Sequence, residues 1–367
     1  MSKINDLIKE MCPNGVEYVK LEELVDYIQP AKYIVKNTNY DIKYDVPVLT
    51  AGQTFILGYS NEKEGIYYAS ADNPVIIFDD FTTSNHWVDF NFKVKSSAMK
   101  ILISKTDNLF KYIYYCISNI DYVPKEHSRQ WIQVYSQFQI PLPPLKVQEE
   151  IVRILDKFGE LEAELEAELE ARKNQYEFWR GKLFENNSKI IRLGELCSIK
   201  TGSKPKDILE LGDYEYINAG TTNSGYTTIT NAKGDCVTTP SRGQGGIGFV
   251  GFQENDFWCG PLCYQIRTLT DKLTNKYLYY YMLAHSGYIL GLKHEGGVPA
   301  VNIKELQEMP ICIPTLEEQE RVVNILDKFD KLINDISEGL PAEIKLRRKQ
   351  YEYYRNKLLS FEEYDNE

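Results

Sequence analysis

Leu145-Lys-Val-Gln148-Glu149-Glu-Ile151-Val152-Arg-Ile154-Leu155-Asp156-Lys157-Phe158 returns 171 residues later as Leu316-Glu-Glu-Gln319-Glu320-Arg-Val322-Val323-Asn-Ile325-Leu326-Asp327-Lys328-Phe329. A second block, Gln175-Tyr176-Glu177-Phe178-Trp179-Arg180-Gly-Lys182-Leu183, returns as Gln350-Tyr351-Glu352-Tyr353-Tyr354-Arg355-Asn-Lys357-Leu358 at an offset of 175. The second copy therefore carries four extra residues between its blocks. Repetition at a fixed spacing decides the architecture before any local propensity does. The chain is two copies of one unit, a globular body followed by a long helix. The edges of the bodies repeat more weakly: Lys20-Leu21-Glu22-Glu23-Leu24 parallels Arg192-Leu193-Gly194-Glu195-Leu196, and Lys111-Tyr112-Ile113-Tyr114-Tyr115 parallels Lys276-Tyr277-Leu278-Tyr279-Tyr280. Their interiors barely agree, and nothing between 200 and 260 matches the stretch Thr50–Gly58. A scaffold that stays alike while its bodies differ suggests two similar folds with two different targets.

The repeated blocks read as helices. Pro143-Pro144 and Pro314-Thr315 precede them, where proline starts a helix at little cost. Apolar residues follow 3,4 spacing through Ile151, Leu155, Phe158, Leu161, Leu165, Leu169, Tyr176, Trp179 and Leu183. The first helix is expected over 145–185, about 60 Å at about 1.5 Å per residue. Its middle, from Glu160 to Glu170, repeats every four residues, so a regular heptad is locally disturbed. Gly339-Leu-Pro341 occupies the same region of the second helix and predicts a break near 338–342 with a restart at Ala342. Stripes of Tyr, Trp and Leu need cover, which the two helices supply as an antiparallel pair; the alternative is that each packs on its own body.

The bodies read as mixed α/β. Pro47–Thr50, Pro74–Phe78, Phe92–Lys95, Lys100–Ile103, Tyr214–Ile217, Gly248–Gly251 and Leu262–Arg267 look like strands. Leu109–Ser118 and Asn275–Ala284 look like short helices. The expected architecture is two α/β (α+β) domains, 1–143 and 188–313, joined by two long antiparallel coiled-coil helices, 144–187 and 314–367, with a pseudo-twofold internal repeat.

Composition bounds the function loosely. The 367 residues exceed one ordinary domain, and 43% hydrophobic content supports a core. No run of about 18 apolar residues is present, and MSKINDLIKE has no signal-peptide pattern, so a cytoplasmic protein is expected. Seven scattered cysteines suit a reducing compartment. Cys259 and Cys263 form a close pair without the second pair that zinc spacing needs, so no metal is expected. The net charge of -11 resolves into -3, -4, 0 and -4 over 1–143, 144–187, 188–313 and 314–367. Most excess acid thus lies in the helices, and the near-neutral bodies neither favour nor exclude nucleic acid.

Motifs for chemistry are missing. Gly243-Gln-Gly245-Gly-Ile-Gly248 matches a dinucleotide fingerprint, but strand-like Phe249-Val-Gly-Phe252 follows where a helix should open. Asn73-Pro74-Val75-Ile76 lacks the second proline and stacking aromatic of an amino-methyltransferase motif. No Walker A loop or nuclease pattern occurs, His86, His127, His285 and His294 are scattered, and Asp79-Asp80 reads as a strand end opening a turn. No catalytic residue is expected. What remains are loops rich in base-reading and phosphate-gripping side chains. The DNA-binding candidates are Thr82, Thr83, Ser84, Asn85, Lys93, Lys95, Ser128, Arg129, Gln130 and Trp131 in the first domain, and Ser203, Lys204, Asn218, Thr221, Thr222, Asn223, Ser241, Arg242 and Gln244 in the second. Candidates for contacts within the helix pair or with partners are Tyr176, Trp179, Leu183, Tyr351, Tyr354 and Leu358.

The segments Ile140-Pro-Leu-Pro-Pro-Leu145 with Gln148-Glu149, Ile313-Pro-Thr-Leu316 with Gln319-Glu320, and the two Gln-Tyr-Glu blocks resemble type I restriction–modification specificity subunits. So do the Leu-x-Glu-Leu elements and Ser128-Arg-Gln-Trp131, and the likeness covers essentially the whole chain. The resemblance implies two target-recognition domains that read the halves of a split, non-palindromic site on double-stranded DNA. It implies helices that space them and dock two methyltransferase subunits, with restriction/translocase subunits added for cleavage. It implies no cofactor in this chain, with S-adenosylmethionine, ATP and Mg in the partner subunits. The second domain departs from the pattern, with Gly296-Gly-Val-Pro-Ala300 where a Ser-x-Gln-x element is expected. Two other readings stand beside this one: a self-sufficient methyltransferase or nuclease fusion, and a coiled-coil adaptor that does not bind DNA.

Overall fold

A computed structural model of the chain describes residues 2–50, 54–185, 188–243, 245–294 and 298–364. It divides into two compact units, residues 1–164 with 345–367, and residues 165–344.

In the first unit, Val75-Ile-Ile-Phe-Asp79 is buried at every position. An unbroken apolar strand needs cover on both faces, so it sits inside a sheet. It lies between Met99–Ser104 and Asn85–Val88, and Val25–Ile28 adds beyond Met99–Ser104, all antiparallel. Alternate side chains then go to opposite faces. Ile76, Phe78 and Leu102 join a core with Tyr112, Ile113 and Ile117 of the helix Phe110–Ser118. Val75, Ile77 and Ile101 join Phe92 and, from a three-stranded sheet, Leu49 and Val94. In that sheet Val46–Leu49 pairs antiparallel with Ile56–Ser60 and parallel with Lys93–Val94. Each of these side chains contributes roughly 1.5–3 kcal/mol by leaving water.

The second unit has the same plan. Cys236–Pro240 takes the inner place, between Cys263–Thr268 and Gly251–Gln253, with Cys197–Thr201 at the far side of Cys263–Thr268. Tyr214–Ile217 pairs antiparallel with Tyr226–Thr227 and parallel with Trp258–Cys259. Val237 and Ile266 face a core with Tyr277, Leu278 and Tyr281 of the helix Asn275–Ala284. Cys236 and Cys263 face a smaller one with Ala232, Phe257 and Cys259. Bodies whose interiors barely align in sequence thus share one strand order and one set of pairing directions. The strand expected at Gly248–Gly251 is corrected to Gly251–Gln253. Residues before it turn instead: the Phe249 amide donates to the Gly246 carbonyl, and Gly248 has a φ of 93°.

The long helix runs Leu145–Lys182 without interruption and ends with Arg180 and Lys182 near its negative pole. The second spacer breaks, as expected from Gly339 and Pro341, into Leu316–Asn334 and Leu340–Leu358. The restart comes at Leu340, two residues before the expected Ala342, because Pro341 fits the first turn, where no amide is needed. Gly339 is required there by space: a Cβ would lie 2.6 Å from the carbonyl oxygens of both Asp335 and Lys331. In the first unit, Phe158 lies 5.4 Å from Tyr354 and 6.3 Å from Tyr351, and Glu162 accepts from Arg348 at 2.5 Å, an antiparallel register. In the second unit, Tyr176 lies 6.2 Å from Phe329.

Candidate nucleic-acid interface

Both bodies are fixed to their helices by the same buried polar set, which explains why these residues repeat. Gln148 is 1% exposed; its Nε2 donates to the Pro143 carbonyl at 2.8 Å and its Oε1 accepts from the Leu109 amide at 3.1 Å. Gln319 is 0% exposed, donating to the Lys272 and Pro314 carbonyls and accepting from the Thr274 amide at 3.0 Å. A buried amide left unpaired costs about 1–3 kcal/mol, so each glutamine holds a helix start against the preceding body. Tyr112 and Tyr277 likewise donate to the carbonyls of Pro141 and Cys312.

On this scaffold the first domain brings its two polar loops together. The strand ending at Asp79 turns because the Asp79 carboxylate accepts from the amides of Phe81 and Thr82, at 2.7 and 3.1 Å. Asp80 then points inward and ties the second loop: its carbonyl accepts from the Gln130 amide at 2.8 Å and its Oδ1 from the Trp131 amide at 2.9 Å. Phe81 stacks on His127 with ring centroids 4.7 Å apart. Thr82 and Arg129 are exposed there, with Ser84, Asn85 and Ser128 half-buried. Lys95 is also exposed, reaching the Tyr40 hydroxyl at 3.4 Å. Burial holds the neighbouring His86 imidazole below its ordinary value, so it adds no charge near neutrality.

Other first-domain candidates are turned away from solvent. Lys93, expected on the binding face, is 1% exposed, paired with Glu62 at 2.9 Å and donating to the Glu64 and Gly65 carbonyls. Trp131 is 2% exposed and sits edge-on to Phe78 in the core. Gln130 spends its side chain on the Ser128 carbonyl and the Tyr122 hydroxyl, both at 2.8 Å. Thr83 is buried at a φ of 62°. These four shape the loops from within instead of facing a ligand.

The second domain gathers four separated loops. Gly202 and Ser203 donate their amides to the Gly260 and Cys259 carbonyls, and the Ser203 carbonyl accepts from Trp258 Nε1 at 2.7 Å. Asn218 Oδ1 accepts from the Leu262 amide at 3.0 Å. Ala219 lies against Gly243 and Gly246, where a Cβ would meet it at 3.4 and 2.0 Å. Ser203, Lys204, Thr221, Thr222 and Arg242 are exposed on this cluster, while Asn218 and Asn223 are half-buried. Ser241 is 8% exposed and Gln244 lies outside the described residues. Thr221, Thr222 and Asn223 also edge a groove of about 610 Å³ shared with Lys173, Arg180 and Asp330 of the helices.

The helix candidates divide. Tyr176 and Leu358 are buried at 5% and 2%, and Leu183 and Tyr351 pack against the cores. Tyr354 stacks on Phe158. Trp179 stays 40% exposed, and its neighbour Phe178, at 59%, is matched in the other block by Tyr353 at 60%. Sequence reasoning missed two organisers. Asp80 is one; Asn231 is the other, its Oδ1 accepting from the Cys259 amide and its Nδ2 donating to the Cys259 carbonyl. Neither neighbours its partners in sequence, and a lone Asp or Asn after a strand reads as a turn.

A family model described as the type I restriction modification DNA specificity domain matches residues 13–171 and again 185–346. The chain is 40% identical to the EcoR124I/EcoR124II type I restriction enzyme specificity subunit of Escherichia coli, over 98% of each chain. It is 31% identical to a putative type I restriction enzyme specificity subunit of Haemophilus influenzae, over 94% of this chain and 96% of that one. Among solved structures, the S subunit of a type I restriction–modification system from M. genitalium superposes with a TM-score of 0.64 at 15% identity, covering 94% and 96% of the two chains. A structure described by its assembly and conformational transition in the type I system gives a TM-score of 0.60 at 15% identity.

Proposed function

This chain belongs to the type I restriction modification DNA specificity family, and we propose that it reads a split, non-palindromic DNA site, one half with each domain. The observation that carries the proposal is duplication with divergence. Two bodies of one topology hang on one repeated set of anchors, yet expose different loops: Thr82 and Arg129, beside half-buried Ser84 and Asn85, in one, and Lys204, Thr221, Thr222 and Arg242 in the other. Identical readers would favour a palindrome; unlike readers favour two unlike half-sites. Arginine, asparagine and hydroxyl side chains supply the donors and acceptors for base edges and phosphates.

The spacer helices set the separation of the half-sites and dock two methyltransferase subunits, with the exposed Phe178, Trp179 and Tyr353 as contact points. Restriction/translocase subunits join the same cytoplasmic assembly. S-adenosylmethionine, ATP and Mg act in those partners, and this chain supplies target choice. Genome-wide mapping of methyladenine, with and without the gene, tests the reading. A split motif should vanish with the gene; methylation by the purified chain alone would point to a self-sufficient enzyme instead.

A further inference from the structure

Asp80 and Lys100 are each 1% exposed, and their charged atoms lie 3.5 Å apart. Neither Asp80 Oδ2 nor Lys100 Nζ has a hydrogen-bond partner among the described residues. Lys100 instead lies 4.6 Å from the centre of the Tyr27 ring. The same Oδ2 faces the Arg129 guanidinium at 3.9 Å, and Arg129 is 52% exposed. One buried carboxylate thus sits between two cations and is neutralised by the one beneath it. Apart from this approach to Asp80, the Arg129 N–H groups have no acceptor among the described residues. Its backbone is not loose: the next two amides, Gln130 and Trp131, are bonded to Asp80, and the Trp131 ring is locked in the core.

The second domain rebuilds this junction differently. The Ser241 carbonyl accepts from the Val301 amide at 2.9 Å, as the Asp80 carbonyl accepts from Gln130. Ser241 therefore stands at the place of Asp80, and Ala300 at that of Arg129. The cation there is Arg242, on the opposite side of the junction, bridged through its backbone to Ala300.

We propose that Arg129 is a specificity-determining residue that reads a base edge in the first domain's half-site, and that Asp80 is the positioning residue that aims it. This rests on the reading given under Proposed function. A phosphate contact needs only a nearby charge. A guanidinium fork that is free of hydrogen bonds and held at a buried carboxylate, on a backbone tied on its C-terminal side, is suited to bidentate donation to a guanine-like acceptor pair. Ala300 in the second domain removes that contact and leaves Arg242 to approach from the other loop.

The test uses the full chain expressed with its methyltransferase partners in a host lacking adenine methylation, with methyladenine mapped across the host genome. Arg129→Ala should relax one position of one half-site, with discrimination lowered about 10- to 100-fold, while the other half-site and the spacing stay fixed. Arg129→Lys should relax the same position, since lysine keeps the charge and loses the fork. Asp80→Asn should relax that position more weakly, and Arg242→Ala should affect only the opposite half-site. A uniform fall in methylation with the motif intact overturns the proposal in favour of a phosphate contact. Loss of the whole half-site in Arg129→Ala overturns it in favour of a folding role, as does an unchanged motif in favour of no role. A wild-type chain that yields no split motif overturns the underlying reading itself.

Discussion

The Tyr115 hydroxyl donates to the Asp156 carboxylate at 2.5 Å, tying the helix Phe110–Ser118 to the first turns of the long helix. Tyr280 donates to Asp327 at the same distance in the second unit. Lys111 and Lys276 flank the two carboxylates at 3.1 and 3.5 Å. A hydrogen bond to a charged group contributes about 1.5–3 kcal/mol. Tyr115→Phe and Tyr280→Phe should each lower stability by about that amount, read as a shift in urea midpoint. No shift in either variant would remove these pairs as anchors.

Alkaline pH attacks the same contacts. Burial, and then the facing carboxylate, push the Tyr115 and Tyr280 phenols well above the ordinary tyrosine range. A group whose folded value is raised stabilises fully below its unfolded value, here about 10, and that stabilisation is lost as pH rises beyond it. The urea midpoint should therefore fall above pH about 10. The double variant Tyr115→Phe with Tyr280→Phe should show a shallower fall, and an equal slope would assign the loss to other groups.

Gly260 has no room for a side chain. A Cβ there would lie 2.4 Å from Asn218 Oδ1, the acceptor of the Leu262 amide. Gly260→Ala should displace Asn218 and its loop. In methylome mapping, recognition should weaken about tenfold or more at the half-site read by the second domain, with the first domain's half-site kept. Weakening at both half-sites would mean that the change spreads beyond that loop.

The spacer can be shortened within Glu160–Glu170, where the sequence repeats every four residues. Removing four residues takes out about 6 Å of helix. At about 3.4 Å per base step, the unspecified spacing of the methylated motif should change by about two base pairs. An unaltered spacing refutes the ruler role.

How much was legible follows from how local each signal is. The helices, their proline-preceded starts and the break at Gly339 and Pro341 depend on neighbours in sequence, and all appear close to their expected places. The shared topology of the bodies was not legible. Val75-Ile-Ile-Phe78 and Cys236-Val-Thr-Thr239 fill the same inner place with different side chains, because burial at each position is required there and identity is not. Charge misled at Lys93, which finds Glu62 and two carbonyls far along the chain. Asp80 was read as a turn residue because its partners, Lys100 and Trp131, lie on other elements.

The first unit draws on both ends of the chain. Val16 pairs with Glu363, the Tyr18 hydroxyl donates to the Phe361 carbonyl at 2.8 Å, and Leu358 joins the core with Leu21 and Ile151. Between its two parts, 1–164 and 345–367, the ribosome must make the whole of the second unit. At about 5–20 residues per second, that interval is roughly 10–40 s. The domain begun first is therefore finished last, and until then its apolar seam for the final helix stands uncovered to nascent-chain chaperones.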